Sequence, residues 1–144
     1  MDNNHCVYHQ RKENVIFKCL LSSGADIKVC DDDGHSPLCI ASWKGKCDDV
    51  KHLLSSGTNI NLCNKRGQSP LFITSMIGHC DVVKCLLSSG AEINLCEKRG
   101  QSPLFIASMI GHCDVVKCLL SSSANINLCD ENGQSPLYIA SKEG

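Results

Sequence analysis

The chain repeats itself at a constant spacing, and this periodicity constrains its fold more than any other sequence feature. A Ser-Pro-Leu triplet recurs every 33 residues, at 36–38, 69–71, 102–104 and 135–137. Residues 64–96 and 97–129 differ only at Asn64/Glu97, Thr74/Ala107, Gly90/Ser123 and Glu92/Asn125. Such repeats predict a solenoid, in which each copy packs against its neighbours.

Each copy predicts two short helices. In the copy 64–96, the polar segment 64–68 contains a glycine and is typical of a turn. Ser69 can cap a helix that starts at Pro70, and Gly78 can end it with a positive φ. A second helix follows, with its apolar residues on one face at three- and four-residue spacing. Neither helix is long enough to be stable alone in water, so each must pack on its neighbours.

The motif Gly-Gln-Ser-Pro-Leu-Phe-Ile-Ala-Ser-x-x-Gly-His-x-x-Val-Val-x-x-Leu-Leu resembles the ankyrin repeat, with Ser-Pro-Leu-Phe where that family has Thr-Pro-Leu-His. The resemblance implies an all-α repeat solenoid, an ankyrin-type helix-turn-helix stack with short β-hairpin-like fingers between repeats. We place repeats at 31–63, 64–96 and 97–129. A partial repeat is expected at 13–30, a truncated one at 130–144, and a degenerate or disordered segment at 1–12.

Two local departures carry their own expectations. Ser123 replaces the glycine that ends the second helix in other copies, and a positive φ there would cost on the order of 1 kcal/mol. The sequence stops after the first helix of its last repeat, where Leu137 and Ile139 would lack a partner helix. We therefore expect a fragment of a longer array, with a frayed natural C-terminus as the alternative.

Composition disfavours several classes of partner. The formal net charge is −1, without the excess of Lys and Arg that binders of nucleic acid or anionic membranes carry. No apolar run approaches the roughly 20 residues that a membrane span needs, and the N-terminus does not resemble a signal peptide. We expect a cytoplasmic, intracellular protein that binds no nucleic acid, does not insert into membranes, and is monomeric as an isolated module.

Ten of the twelve cysteines occupy repeat-equivalent positions, in the sets Cys47/Cys80/Cys113, Cys19/Cys85/Cys118 and Cys30/Cys63/Cys96/Cys129. Equivalent cysteines in successive repeats should be too far apart for a disulfide, because stacked helices pack roughly 8–10 Å apart. We expect reduced thiols that act as small apolar residues in the core. There is no Cys-x-x-Cys spacing, and His79-Cys80 and His112-Cys113 lie one repeat apart. Neither a metal nor a cofactor is therefore expected.

The predicted fingers carry charges whose sign changes along the stack. They run acidic, basic, basic, acidic, which favours a shaped protein partner over a nucleic-acid track. The finger residues that we expect to contact a partner are Asp32, Asp33, His35, Lys65, Arg66, Gln68, Lys98, Arg99, Gln101, Glu131 and Asn132.

The end of each first helix gives the second part of the predicted site. In ankyrin-like stacks these positions face the inner groove and vary. Here they would form an apolar stripe, and Trp and Met are enriched at the centres of interfaces. Alternatively, one residue of each pair is half-buried between repeats. The predicted groove residues are Trp43, Lys44, Met76, Ile77, Met109 and Ile110.

The sequence therefore predicts a non-enzymatic module that binds a partner protein through its groove and fingers. The resemblance implies a structural, hydrogen-bonding role for His79 and His112, and we identify no catalytic residues. One alternative is a targeting or regulatory ankyrin segment of a larger enzyme or channel. A third class is a thiol-based redox or metal sensor, which native thiol titration would test.

Overall fold

The computed structural model describes residues 15–143, so Gly144 and the segment 1–12, predicted to be degenerate or disordered, lie outside the described residues. Within 15–143 the chain forms eight short helices. They are α1 (15–22), α2 (Pro37–Trp43), α3 (Cys47–Ser55), α4 (Pro70–Ile77), α5 (Cys80–Ser88), α6 (Pro103–Ile110), α7 (Cys113–Ser121) and α8 (Pro136–Glu143). None of these helices has the length and apolar character needed to cross a bilayer.

The helices form two layers. The first helices of the repeats, α2, α4, α6 and α8, pack side by side along the stack. The second helices α3, α5 and α7 form the other layer, each packed on the first helix that precedes it in the chain. Each repeat thus contacts the one before and the one after, as the periodicity of the sequence predicts.

Local chemistry sets the ends of the first helices as predicted. Ser69 Oγ accepts a hydrogen bond from the backbone N–H of Phe72, and Ser36 and Ser102 cap their helices in the same way. Pro follows each of these caps, where its missing N–H costs nothing. Gly78 ends α4 with a φ of 97°, a backbone conformation that is unfavourable for residues with a Cβ.

The core lies between the two layers and is continuous along the stack. It is built from repeat-equivalent aliphatic residues, which the helices bury on their facing sides. Its buried members include Leu38, Val50, Leu53, Leu71, Val83, Leu86, Leu104, Val115 and Leu119. Burial of this shared surface stabilises helices of seven to nine residues that would not persist alone.

The segments between repeats form turns. The Gly34 N–H donates to Asp31 O at 3.0 Å, and the Lys65 N–H donates to Asp33 O at 2.9 Å, which joins one finger to the next. The 64–68 and 97–101 fingers are joined in the same way, by the Lys98 N–H and Arg66 O at 3.2 Å. The expected β-hairpin character is not confirmed, because residues 15–143 contain no β-strand.

Candidate functional site

A cavity of about 400 Å³ opens on the inner side of the stack. It lies where α2 and the finger at 31–35 meet α4 and the finger at 64–68. We call this contact between α2 and α4 the upstream junction and the corresponding contact between α4 and α6 the downstream junction. The cavity is lined by Asp31, Asp33, His35, Cys39, Ile40, Trp43, Asn64, Lys65, Arg66, Gln68, Ile73 and Met76.

The floor of the cavity is apolar. Trp43, near the end of α2, is 55% exposed, and Ile40, one helical turn earlier, is 39% exposed. Met76 is half-buried beside them at the end of α4. An exposed indole next to aliphatic side chains is the kind of surface that gains most from being covered by a partner.

Two fingers of opposite charge border this floor. On one side stand Asp31 and Asp33, and on the other Lys65 and Arg66, whose side chains are exposed. The backbone N–H of His35, 2.7 Å from Asp31 Oδ1, lowers the pKa of Asp31, and the His35 ring contributes through its 3.0 Å contact with Oδ2. Asp31 is therefore ionised at neutral pH, so the cavity has one acidic and one basic side.

Hydrogen bonds hold the two fingers in register. The Asn64 amide nitrogen donates to His35 Nε2 at 3.0 Å and to Gln68 Oε1 at 2.9 Å. The Asn64 Oδ1 atom accepts from the backbone N–H groups of Arg66 and Gln68, both at 3.0 Å. Because these bonds fix the turn, the basic side chains leave it from a defined backbone position.

Histidines tie successive repeats together beneath this surface. His79 Nε2 donates to Trp43 O at 3.0 Å, and His112 Nε2 donates to Met76 O at 3.0 Å. The structural role expected for these histidines is thereby confirmed. Each bond holds the end of a first helix, and His79 thus fixes the backbone that carries Trp43.

The cavity gathers one group of the predicted contact residues. Its lining includes Asp33, His35, Trp43, Lys65, Arg66, Gln68 and Met76. The other predicted residues lie along the same stack but outside this lining. They are Asp32, Lys44, Ile77, Lys98, Arg99, Gln101, Met109, Ile110, Glu131 and Asn132.

The apolar stripe is exposed to different degrees along its length. Ile77 is 37% exposed and Ile110 is 47% exposed, whereas Met76 and Met109 are half-buried. In each pair, then, the residue that ends the helix is the more exposed one. A contact between this stripe and a partner stays a prediction.

Sequence reasoning missed several residues that line the cavity, namely Asp31, Cys39, Ile40, Asn64 and Ile73. A signal for one of them was present, since Cys39 stands where the next two repeats have Phe72 and Phe105. Cys39 is buried, and its thiol donates to Leu62 O at 3.6 Å. A thiol is much smaller than a phenyl ring, so this substitution leaves space between α2 and the finger at 64–68.

The prediction that the cysteines are core residues is wrong for most of those described. Cys39 is buried, but Cys19, Cys30, Cys113 and Cys129 are exposed and the others are partly exposed. Cys30, Cys63, Cys96 and Cys129 lie in the segments before the fingers, where each thiol donates to a carbonyl two residues earlier. Four cysteines of the second helices, Cys47, Cys80, Cys85 and Cys118, pack against the edge of the core rather than inside it.

No cluster of three or more His, Cys, Asp or Glu side chains within residues 15–143 is arranged to hold a metal ion. The family model described as ankyrin repeats (3 copies) matches the chain over residues 4–95, 40–126 and 71–144. These matches extend over nearly the whole sequence, including the cavity and all of its lining residues. Comparison with curated proteins gives no match.

Proposed function

Because the chain belongs to the ankyrin repeat family, whose repeats are generally protein-interaction modules, we propose that it is a non-enzymatic module that binds a partner protein at the upstream junction. The observation that carries this proposal is the exposed Trp43 at the floor of a cavity with one acidic and one basic side. Such a site takes a side chain into the cavity and charged groups at its rim.

The chemistry of the site indicates what kind of segment would fit. A large apolar side chain would cover Trp43 and Ile40 and fill the space beside Cys39. An acidic residue on one side of this anchor would meet Lys65 and Arg66, and a basic residue on the other would meet Asp31 and Asp33. Rim charges of this kind set orientation and discriminate between partners more than they add affinity.

The remaining predicted residues would extend the contact along the stack. Lys98 and Arg99 continue the basic side beyond the cavity, and Ile77 and Ile110 continue the exposed apolar stripe. We expect the central contact at Trp43 to contribute most of the binding energy, since hot spots cluster where an aromatic side chain is fully desolvated.

Selection of peptides from a random displayed library on the immobilised protein tests this proposal. Enriched peptides should carry a large apolar residue flanked by an acidic and a basic residue. By fluorescence anisotropy, Trp43→Ala should weaken the selected peptide about 30-fold or more, which corresponds to about 2 kcal/mol.

Charge reversal provides the specificity test. Lys65→Glu combined with Arg66→Glu should weaken the peptide, and a peptide with its acidic residue changed to lysine should recover binding to that variant. Lys84→Glu combined with Lys117→Glu, exposed changes of the same total charge on α5 and α7, is the matched control and should leave binding unchanged. If the Trp43→Ala variant, the charge-reversal variant and the control variant all bound the selected peptides with equal affinity, the upstream junction would be ruled out as the binding site.

A further inference from the structure

Cysteines of neighbouring second helices meet in diagonal pairs on the outer layer. Cys80 begins α5, and Cys118 lies in the middle of α7, the next second helix along the stack. The sulfur of Cys80 lies 3.7 Å from the backbone oxygen of Asp114, in the first turn of α7. Both cysteines also line one surface pocket, together with Lys84 and Asp114.

Helix geometry brings the second sulfur to the same place. Asp114 and Cys118 are four residues apart in α7 and therefore lie on the same face. Side chains of an α-helix lean toward its N-terminus, so the Cys118 side chain lies over the turn that contains Asp114. The Cys80 sulfur, which contacts that turn, is thus a direct neighbour of the Cys118 thiol.

The same arrangement recurs one repeat earlier. Cys47 begins α3 and Cys85 lies in α5, and each pair spans the same 38 positions of the chain. Burial raises the pKa of Cys118, contact with the Cys80 side chain adds to the rise, and the Lys84 ammonium opposes it. The pKa of Cys85 is likewise raised by burial and by contact with Cys47, and the Lys51 ammonium opposes the rise. The sequence did not predict these pairs, because they join non-equivalent positions of two successive repeats.

We propose that Cys80 and Cys118, and likewise Cys47 and Cys85, form disulfides between adjacent repeats when a low-molecular-weight disulfide oxidises them. All four side chains are partly exposed at the edge of the core, so a small oxidant reaches them without unfolding of the stack. The site is on the outer layer, away from the cavity, and does not depend on the proposed binding function.

The chemistry is two successive thiol–disulfide exchanges. The thiolate of one cysteine attacks the small disulfide, whose S–S bond breaks to leave a mixed disulfide and one small thiolate. The partner cysteine then loses its proton and attacks the protein sulfur of that mixed disulfide, which releases the second small thiolate. The two protein sulfurs are oxidised by two electrons, the small disulfide is reduced to two thiols, and the cysteine protons end on those thiols.

Incubation of the folded protein with oxidised glutathione, followed by non-reducing proteolysis and mass spectrometry, tests the proposal. The expected products are the Cys80–Cys118 and Cys47–Cys85 cross-links, formed faster as the pH rises because the reactive species is the thiolate. Reduction should then lower the thermal midpoint by up to about 10 °C, since each bridge closes a long loop.

Single substitutions give matched controls. Cys118→Ser should abolish the first cross-link and leave the second as an internal reference. Cys113→Ser should leave both, because Cys113 has the position of Cys80 in the next repeat but belongs to neither pair. Glutathione adducts on these four cysteines without cross-links, or the same cross-links at equal yield in urea, would overturn the proposal.

Discussion

The upstream and downstream junctions are built from the same repeat, but a different residue fills the space next to the finger. At the downstream junction this residue is Phe72, which is buried and fills its space with a phenyl ring. At the upstream junction it is Cys39, and a cavity of about 400 Å³ lies beside it with the exposed Trp43 at its floor. Because a thiol is smaller than a phenyl ring, we expect Cys39 to contribute to the room for a ligand side chain at the upstream junction.

The two junctions are alike in what holds them together. Each has a histidine that donates to the carbonyl at the end of the preceding first helix, and each has a finger-to-finger backbone bond. Solenoid stability is approximately a sum of repeat and neighbour terms. The repeat therefore tolerates a change of one residue facing the groove while the neighbouring interface is retained.

Exchanging Cys39 and Phe72 between the two junctions should have the largest effect on stability. Phe72→Cys should give the downstream junction the upstream composition and destabilise the protein by about 3 kcal/mol, because it removes a buried phenyl ring and leaves a cavity. Urea unfolding followed by circular dichroism measures this loss. A cost under about 1 kcal/mol would mean that the ring does not fill the space.

The reverse exchange, Cys39→Phe, is the matched variant at the upstream junction. It introduces the residue that the next two repeats carry, so the fold should be retained while affinity for the selected peptides falls. Retained affinity together with retained folding would show that the space beside Cys39 is not part of the binding site.

Substitution of the glycines next to His79 and His112 tests whether the same histidine contact stabilises both junctions. A Cβ on Gly45 would lie 2.8 Å from His79 Cε1 and Nδ1, and a Cβ on Gly78 would lie 2.7 Å from His112 Nδ1. Gly45→Ala and Gly78→Ala should each lower the free energy of unfolding by about 2 kcal/mol. About half of this loss comes from the positive φ and half from displacing the histidine from the carbonyl to which it donates.

Gly111→Ala is the control for this pair. Gly111 also has a positive φ, of 89°, but nothing lies within 4 Å of the position of a Cβ. Its cost should therefore be about 1 kcal/mol, from the backbone alone. Equal losses for all three variants, measured by urea unfolding, would show that the histidine contact contributes nothing to either junction.

Features that depend on a few neighbouring residues were predictable from the sequence. The Ser69 cap and the end of α4 at Gly78 each follow from residue type and local position. Ser123 shares a positive φ with Gly90, its counterpart one repeat earlier, which the residue type alone does not predict. The cavity could not be predicted in this way, because it depends on the volume of Cys39 relative to a finger some 25 residues later. The pairing of Cys80 with Cys118 depends on how two helices are rotated against each other, which periodicity does not specify.

The two nearly identical copies 64–96 and 97–129 differ at the end of the second helix. Ser123 has a φ of 68°, whereas Gly90, at the same position one repeat earlier, has a φ of 88° without a side chain. Ser123→Gly should therefore stabilise the protein by about 1 kcal/mol and Gly90→Ser should destabilise it by a similar amount. Thermal unfolding of both variants measures these changes. Shifts of the midpoint in the same direction for the two variants would contradict the prediction.

The smallest expected difference between the junctions is in the pH dependence of stability, and it appears only at alkaline pH. Burial raises the pKa of the Cys39 thiol, so the folded state holds this proton more tightly than the unfolded chain does. The corresponding stability is fully present below the ordinary thiol pKa of about 8.5 and is lost as the pH rises through the higher pKa of the folded state. Cys39→Phe should flatten this alkaline loss of stability, and Phe72→Cys should steepen it by adding a second buried thiol. Urea unfolding midpoints under reducing conditions, measured between about pH 7 and pH 10, give the pH dependence of stability for the wild type and both variants. Parallel curves for all three proteins would show that a buried thiol at this position does not cause the loss of stability in alkali.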